Sequence, residues 1–292
     1  MNKKTGNNKQ IKSVYEIEFI SGKEKGKQAL LVNYGNLELL ISKDNAMDIF
    51  WLRHCGINMS FLSKNGINTS QGGFENKFEG CFLYTCGLDN ISACVKGKPI
   101  HGSLHNISAE NINYEIKEDC IEIKGCILNI ALFKQNLILY RNFVVKNDEL
   151  EIFDTIKNAA YENVKYCLLY HFNLGYPFLD SNMHLKFDST HSEGLTEKAQ
   201  NNLENAMKME EPIDCKEEEV FYHTLRKGRV KAINNDIGKE ITMEYSIDTL
   251  PVFIEWKSMA SGDYALGLET STSRFDSFKY RNQCYRINFK FK

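Results

Sequence analysis

Turn signals recur about every eight to twelve residues along most of this chain, and the stretches between them are too short and too β-branched for anything but strands. Residues 14–20, 29–32 and 37–41 are such runs, separated by Gly and Asn. Runs at 48–51, 59–62, 112–116, 120–123, 126–133, 137–145, 149–156 and 163–172 continue the series, with Lys-Glu-Asp, Lys-Gly and Lys-Asn-Asp turns among the later ones. Runs at 219–224, 229–234, 240–248, 251–256, 264–269 and 284–291 complete it. One segment breaks the pattern: 194–211 is rich in Glu, Asn, Ala, Lys and Met and is stopped by Pro212, so it reads as a short surface helix or a loop. Strands without alternating helices exclude a βαβ architecture. The predicted fold is all-β, a large antiparallel sandwich or barrel with at most one or two short helices.

No repeat, low-complexity tract or Pro/Gly/Ser linker divides the chain, so 13–292 is expected to form a single domain behind a frayed polar tail, 1–12. With 292 residues, 42% of them hydrophobic, such a domain buries a large core. A net charge of -2 gives no reason to expect nucleic acid or an anionic membrane as partner. No apolar run approaches the roughly 20 residues of a membrane helix, and the N-terminal residues carry no apolar stretch of the secretory kind. The nine cysteines, none in a Cys-x-x-Cys pair, read as reduced and mostly buried thiols of a cytoplasmic protein. Their spacing does not suggest zinc.

Four places hold polar groups in unusual settings. In 166–180, an apolar strand that stops at Gly175 and Pro177 contains His171 and Asn173, two apart and therefore on one face. Thr85 to Asn90 reads as a tight turn after the apolar run 81–84. His101 and His105 are four apart, a metal spacing only on a helix, and Pro99, Gly102 and Ser103 argue for a loop contacting a sugar instead. Near the C-terminus, Trp256 could act as a stacking platform beside Lys257, and Glu269 ends a buried strand, where a carboxylate is costly unless paired or in a cleft. Each has an ordinary structural explanation as a core histidine, a turn amide or a surface charge. Together they are equipment for proton transfer on a polyhydroxylated substrate, without a phosphate loop or nucleophile elbow.

The segments Leu83-Tyr84-Thr85-Cys86-Gly87-Leu88-Asp89-Asn90, His101-Gly102, Leu169-Tyr170-His171-Phe172-Asn173-Leu174-Gly175-Tyr176-Pro177 and Leu266-Gly267-Leu268-Glu269 resemble, in that order, the aldose 1-epimerase-like (galactose mutarotase-like) superfamily. The likeness spans about 48–269 and is strongest to a branch catalogued as a domain of unknown function. In the mutarotases the histidine and the Phe-Asn-Leu are not adjacent; here they are. The resemblance implies a β-supersandwich with a sugar on its concave face and no cofactor or metal. It implies His171 as general acid at the ring oxygen, Glu269 as base at the anomeric hydroxyl and His101 as a substrate-binding residue. The superfamily's sugar-binding Asp has no counterpart. Asn90, Lys257 and Arg141 are similar to the branch's own pattern, which points to an acidic or phosphorylated sugar.

The expected protein is thus a mutarotase-like isomerase, monomeric or homodimeric, acting on a monosaccharide or sugar derivative. His171 and Glu269 would be catalytic, and His101, Asn90, Asn173, Lys257, Arg141 and Trp256 would bind substrate. The alternative is a non-catalytic carbohydrate-binding or sensing protein on the same fold. The missing Asp favours it, whereas the presence of both acid and base favours the enzyme.

Overall fold

The computed structural model describes residues 3–92, 97–275 and 283–292. Its strands, in chain order, begin with β1 (Lys12–Glu18), β2 (Gln28–Tyr34), β3 (Leu37–Ser42), β4 (Ile49–His54), β5 (Ile57–Asn58) and β6 (Leu83–Leu88). Next come β7 (Glu110–Ile116), β8 (Ile121–Ile130), β9 (Asn136–Val145), β10 (Glu149–Asn158), β11 (Cys167–Leu174), β12 (Met183–Lys186) and β13 (Ser189–Gly194). The last are β14 (Glu219–Leu225), β15 (Arg229–Asn234), β16 (Lys239–Tyr245), β17 (Val252–Ala260), β18 (Asp263–Ser271) and β19 (Gln283–Phe291). They form two antiparallel sheets. The larger runs β1-β2-β3-β4-β6-β11-β18-β17-β14-β13, with β5 attached to β4, and the smaller runs β12-β15-β16-β19-β10-β9-β8-β7.

Among the described residues there are two short α-helices, α1 (Phe74–Lys77) and α2 (Glu197–Asn201). The second lies in the segment expected to be helix or loop. The Thr196 side chain accepts a hydrogen bond from Ala199 N and starts it, and a 3-10 turn at Leu203–Asn205 follows. The expected turn at Thr85–Asn90 is corrected: residues 83–88 are a fully buried strand, held between β4 and β11. β12 and β13 escaped the sequence reading because one is only four residues long and the other, Ser-Thr-His-Ser-Glu-Gly, is a polar edge strand. The tail differs from expectation as well, since Asn8–Gln10 forms a 3-10 turn and Lys12 already pairs with Tyr34.

Alternation along β11 divides its side chains between two environments. Leu168, Tyr170, Phe172 and Leu174 enter the main core between the sheets, together with Ile121, Ile152 and Phe289. Leu169, His171 and Asn173 take the opposite face, where Leu169 joins a separate apolar cluster with Tyr84, Tyr222 and Ile254. The outer face of the larger sheet is therefore the one that carries polar chemistry.

Between the sheets lies a buried ionic network. The Arg141 guanidinium on β9 contacts Asp154 of β10 at 2.7 Å and Asp48 at 2.8 Å, and it donates further hydrogen bonds to Ala46 O and Thr85 Oγ1. Tyr170 donates to Asp154 at 2.9 Å. Asp48 and Glu79 grip the two nitrogens of His105 at 2.7 and 2.8 Å, and the Tyr84 ring stacks on this imidazole at 3.8 Å. Burial opposes charge on His105, but the bonds to Asp48 and Glu79 outweigh it and raise the pKa above the ordinary value. Each cation touches two carboxylates, Asp48 being shared between Arg141 and His105, and this alternation makes burial of the charges tolerable.

Removing the cation strands both aspartates. Arg141→Leu is expected to destabilise the protein by about 3–5 kcal/mol in urea unfolding; a loss below 1 kcal/mol would show that the network contributes little to the fold.

Candidate active site

β11 pairs with β6 on one side and β18 on the other, in a register that sets His171 opposite Tyr84 and opposite Glu269. Cross-strand neighbours on one face stand with Cβ atoms about 4.5–5.5 Å apart. Here the side chains meet, His171 Nε2 lying 3.1 Å from Glu269 Oε1. β17 completes the floor, with Trp256 opposite Gly267 and its ring 5.4 Å from that of His171. Gly267 is required by space: a Cβ there would stand 2.9 Å from His171 Cε1 and 3.0 Å from the Trp256 Cβ.

The floor opens into a cleft of about 570 Å³, ample for a monosaccharide. Its walls are largely aromatic, with Phe61, Phe74, Phe78 and Phe275 facing Trp256. His101 enters from the loop after β6, its ring 5.7 Å from His171 and 5.0 Å from Phe74. That loop seats tightly on the end of β6. Gly102 (φ +79) lies so close that a Cβ would come within 2.3 Å of Asn90 O and 2.5 Å of Gly87 O. Glu218, Asp263 and Lys64 stand around the mouth. Glu218 accepts a 2.6 Å hydrogen bond from Trp256 Nε1, and Lys64 is paired with Asp263 at 2.6 Å.

Burial governs the protonation of the floor. It lifts the Glu269 carboxyl to about 8, aided by the negative charge of Glu218. It drives His171 well below its ordinary value, with the neighbouring His101 acting in the same direction and Asn173 opposing weakly. His101 is likewise lowered by burial, to about 4. At neutral pH the pair is therefore a neutral acid beside a neutral imidazole, with Nε2 and Oε1 3.1 Å apart. His171 Nδ1 and Asn173 Oδ1 are buried without a partner at full hydrogen-bond geometry.

Four of the residues singled out in the sequence, His171, Glu269, His101 and Trp256, thus meet in one cleft. Asn173 is their neighbour below the floor, donating to Gly80 O and His171 O. Three others lie elsewhere. Arg141 belongs to the ionic network between the sheets, its guanidinium saturated by Asp48 and Asp154. Lys257, one residue after Trp256, points to the reverse face, donates to Asn205 O and Lys208 O and so ties down the segment after α2. Asn90 is committed to its own loop through Ser92 and Pro99. His105, weighed as a metal partner for His101, has both ring nitrogens occupied by carboxylates. The sequence reading missed Glu218 and the phenylalanine walls. Glu218 could have been found by period-two reasoning, since 218, 220 and 222 share the face opposite the buried Glu219.

Two antiparallel sheets with this strand order have the fold of a galactose mutarotase-like sandwich. Solved structures with the same fold bear this out. A candidate aldose 1-epimerase from Klebsiella pneumoniae superposes with a TM-score of 0.85 at 17% identity, over 95% of this chain and 83% of that one. A galactose mutarotase-like protein from Clostridium acetobutylicum gives a TM-score of 0.69 at 14% identity, over 97% and 98%. A candidate mutarotase from Salmonella typhimurium gives 0.70 at 9% identity, over 95% and 96%. A comparison with curated proteins found no match. Residues 24–287 match the family described as a domain of unknown function, DUF4432, and the chain belongs to that family. Among the described residues, no helix is long and apolar enough to cross a membrane.

The raised Glu269 pKa makes stability pH-dependent. The unfolded chain loses this proton near 4.5 and the folded protein near 8, so stability falls as pH rises through that window and is level outside it. Glu269→Gln removes the titration. Measured by denaturant midpoints, the variant should gain on the wild type by a few kcal/mol between pH 5 and pH 8, and parallel curves would refute the buried neutral carboxyl.

Proposed function

We propose that the protein is an aldose 1-epimerase-like isomerase, interconverting the anomers of a monosaccharide with Glu269 and His171 as its proton-transfer pair. The observation that carries this reading is the direct contact of the two side chains, 3.1 Å apart, on the floor of a sugar-sized cleft. Ring opening of a hemiacetal removes the proton from the C1 hydroxyl, forms the C1 carbonyl, breaks the bond from C1 to the ring oxygen and protonates that oxygen. Both oxygens are bonded to C1, so acid and base need not stand on opposite sides of the ring; tips a hydrogen bond apart can address both at once. Closure on the other face of the carbonyl reverses the transfers and yields the other anomer.

The pair as a whole is uncharged. Moving one proton along the contact from Glu269 to His171 gives a carboxylate facing an imidazolium, the form in which Glu269 takes the hydroxyl proton and His171 supplies the ring oxygen. No solvent exchange is needed, and the step back restores the resting state. His101 sits where it can bind a substrate hydroxyl, and the Trp256 ring offers a face to the C–H side of a sugar.

General acid and general base each contribute about 10²–10⁴-fold. Saturation-transfer NMR on a panel of aldoses should therefore find accelerated anomer exchange that drops by about that factor in Glu269→Gln and in His171→Asn. Full retention in either variant defeats the assignment. Sugar binding without accelerated exchange in the wild type would leave a non-catalytic sugar-binding protein.

A further inference from the structure

We propose that the cleft is built for an uncharged, hydroxyl-poor aldose, one with deoxygenated or alkyl-bearing carbons, and discriminates against phosphorylated, acidic and fully hydroxylated sugars. This rests on the anomerase reading above and specifies its substrate. It follows from the state of the polar groups that line the walls. Ser63 donates to Phe78 O, and the Asn65 amide donates to Glu75 O and Phe78 O. The Lys64 ammonium is held by Asp263, and Glu218 holds the Trp256 indole. Among the described residues, this leaves His101 as the inner wall side chain above the floor with a ring nitrogen to spare, its Nδ1 being turned to Ile91 O at 3.3 Å, while Glu75 and Glu218 present carboxylate oxygens only on the exposed part of the wall.

The rest of the wall is apolar. Phe61, Phe74, Phe78 and Phe275 are joined by Ile100, Leu195 and Val220. A sugar hydroxyl pressed against such a surface loses its water without gaining a partner, which costs about tenfold or more in affinity per group. A methyl or methylene at the same position gains contact instead. Charge selects in the same sense. Among the described residues, the carboxylates of Glu75, Glu218 and Asp263 share the cleft with one cation, Lys64, and that cation is already neutralised at 2.6 Å. The two cations that the sequence offered for an anionic sugar, Arg141 and Lys257, are buried in other parts of the fold. Among the described residues, an added phosphate or carboxylate meets like charge and no counter-ion.

The test compares an aldohexose with its 2-deoxy and 6-deoxy forms, its 6-phosphate and its uronic acid, by saturation-transfer NMR on the full chain. At least one deoxy sugar should exceed the parent in kcat/KM by about tenfold or more, with the phosphate and the uronate below the parent. A phosphate, uronate or parent sugar equal to or better than both deoxy forms overturns the proposal. If no sugar is turned over, the isomerase reading fails by itself. The binding order still decides this inference, read from Trp256 fluorescence in a Trp51→Phe background, because the chain has two tryptophans and Trp51 is hydrogen-bonded to Glu38, outside the cleft.

Discussion

The register of β11 between β6 and β18 is the constraint on which the rest of the molecule turns. A strand has a side-chain period of two, so a slip of one residue would send His171 and Asn173 into the main core and put Tyr170 and Phe172 on the outer face. The core forbids that slip. Leu168, Tyr170, Phe172 and Leu174 fill the space between the sheets, and the Tyr170 hydroxyl is anchored to Asp154 within the Arg141 network. The alignment of His171 with Glu269, which are 98 positions apart in the chain, is thus enforced by packing on the opposite face of the same strands. The site is exact because the core is.

Two buried polar clusters lie on the two faces of the larger sheet, and they solve the cost of burial differently. Around Arg141 the charges are real and alternate in sign: the guanidinium lies between Asp154 and Asp48, His105 between Asp48 and Glu79, and Lys27 stands 3.8 Å from Glu79. In the cleft, charge is suppressed. Glu269 is pushed up and His171 down until both are neutral near pH 7, and neither is given a fixed counter-ion. The first arrangement is inert, because no proton in it can move without leaving a bare charge. The second is poised, since one proton passing across the 3.1 Å contact converts it into an ion pair. A low-dielectric setting makes such a pair responsive to the oxygens of a bound ligand.

Most of the fold and the centre of the site were legible in the sequence, because both are carried by local patterns. Alternation announced the strands, and a histidine and a carboxylate inside apolar strands announced groups held out of water. What could not be read was direction. Trp256 and Lys257 are adjacent and looked like one feature, yet the pleat sends the indole into the cleft and the ammonium to the carbonyls behind the sheet. Arg141 looked like an anion receptor, but whether an arginine on a strand faces a ligand or a buried aspartate depends on Asp48 and Asp154, whose proximity is a tertiary fact. The Thr85–Asn90 segment was misjudged because Gly87 and Asn90 are turn residues by composition. The sheet overrides that preference by pairing 83–88 on β11.

Floor and wall of the cleft come from different parts of the architecture, and in the proposed anomerase this separates chemistry from recognition. His171, Glu269 and Trp256 sit on adjacent strands in the middle of the larger sheet, where hydrogen-bonded register leaves little freedom. The walls come from connections: Phe61, Phe74 and Phe78 from the long segment between β5 and β6, His101 and Ile100 from the loop after β6, and Phe275 from the chain after β18. The reacting atoms of an aldose, C1 and its two oxygens, are the same in every sugar, so a floor that handles them need not change with substrate. The remaining carbons differ, and they meet loops that can change without disturbing the sheet. In the proposed anomerase the sheet floor carries the proton transfer and the aromatic loops select the sugar.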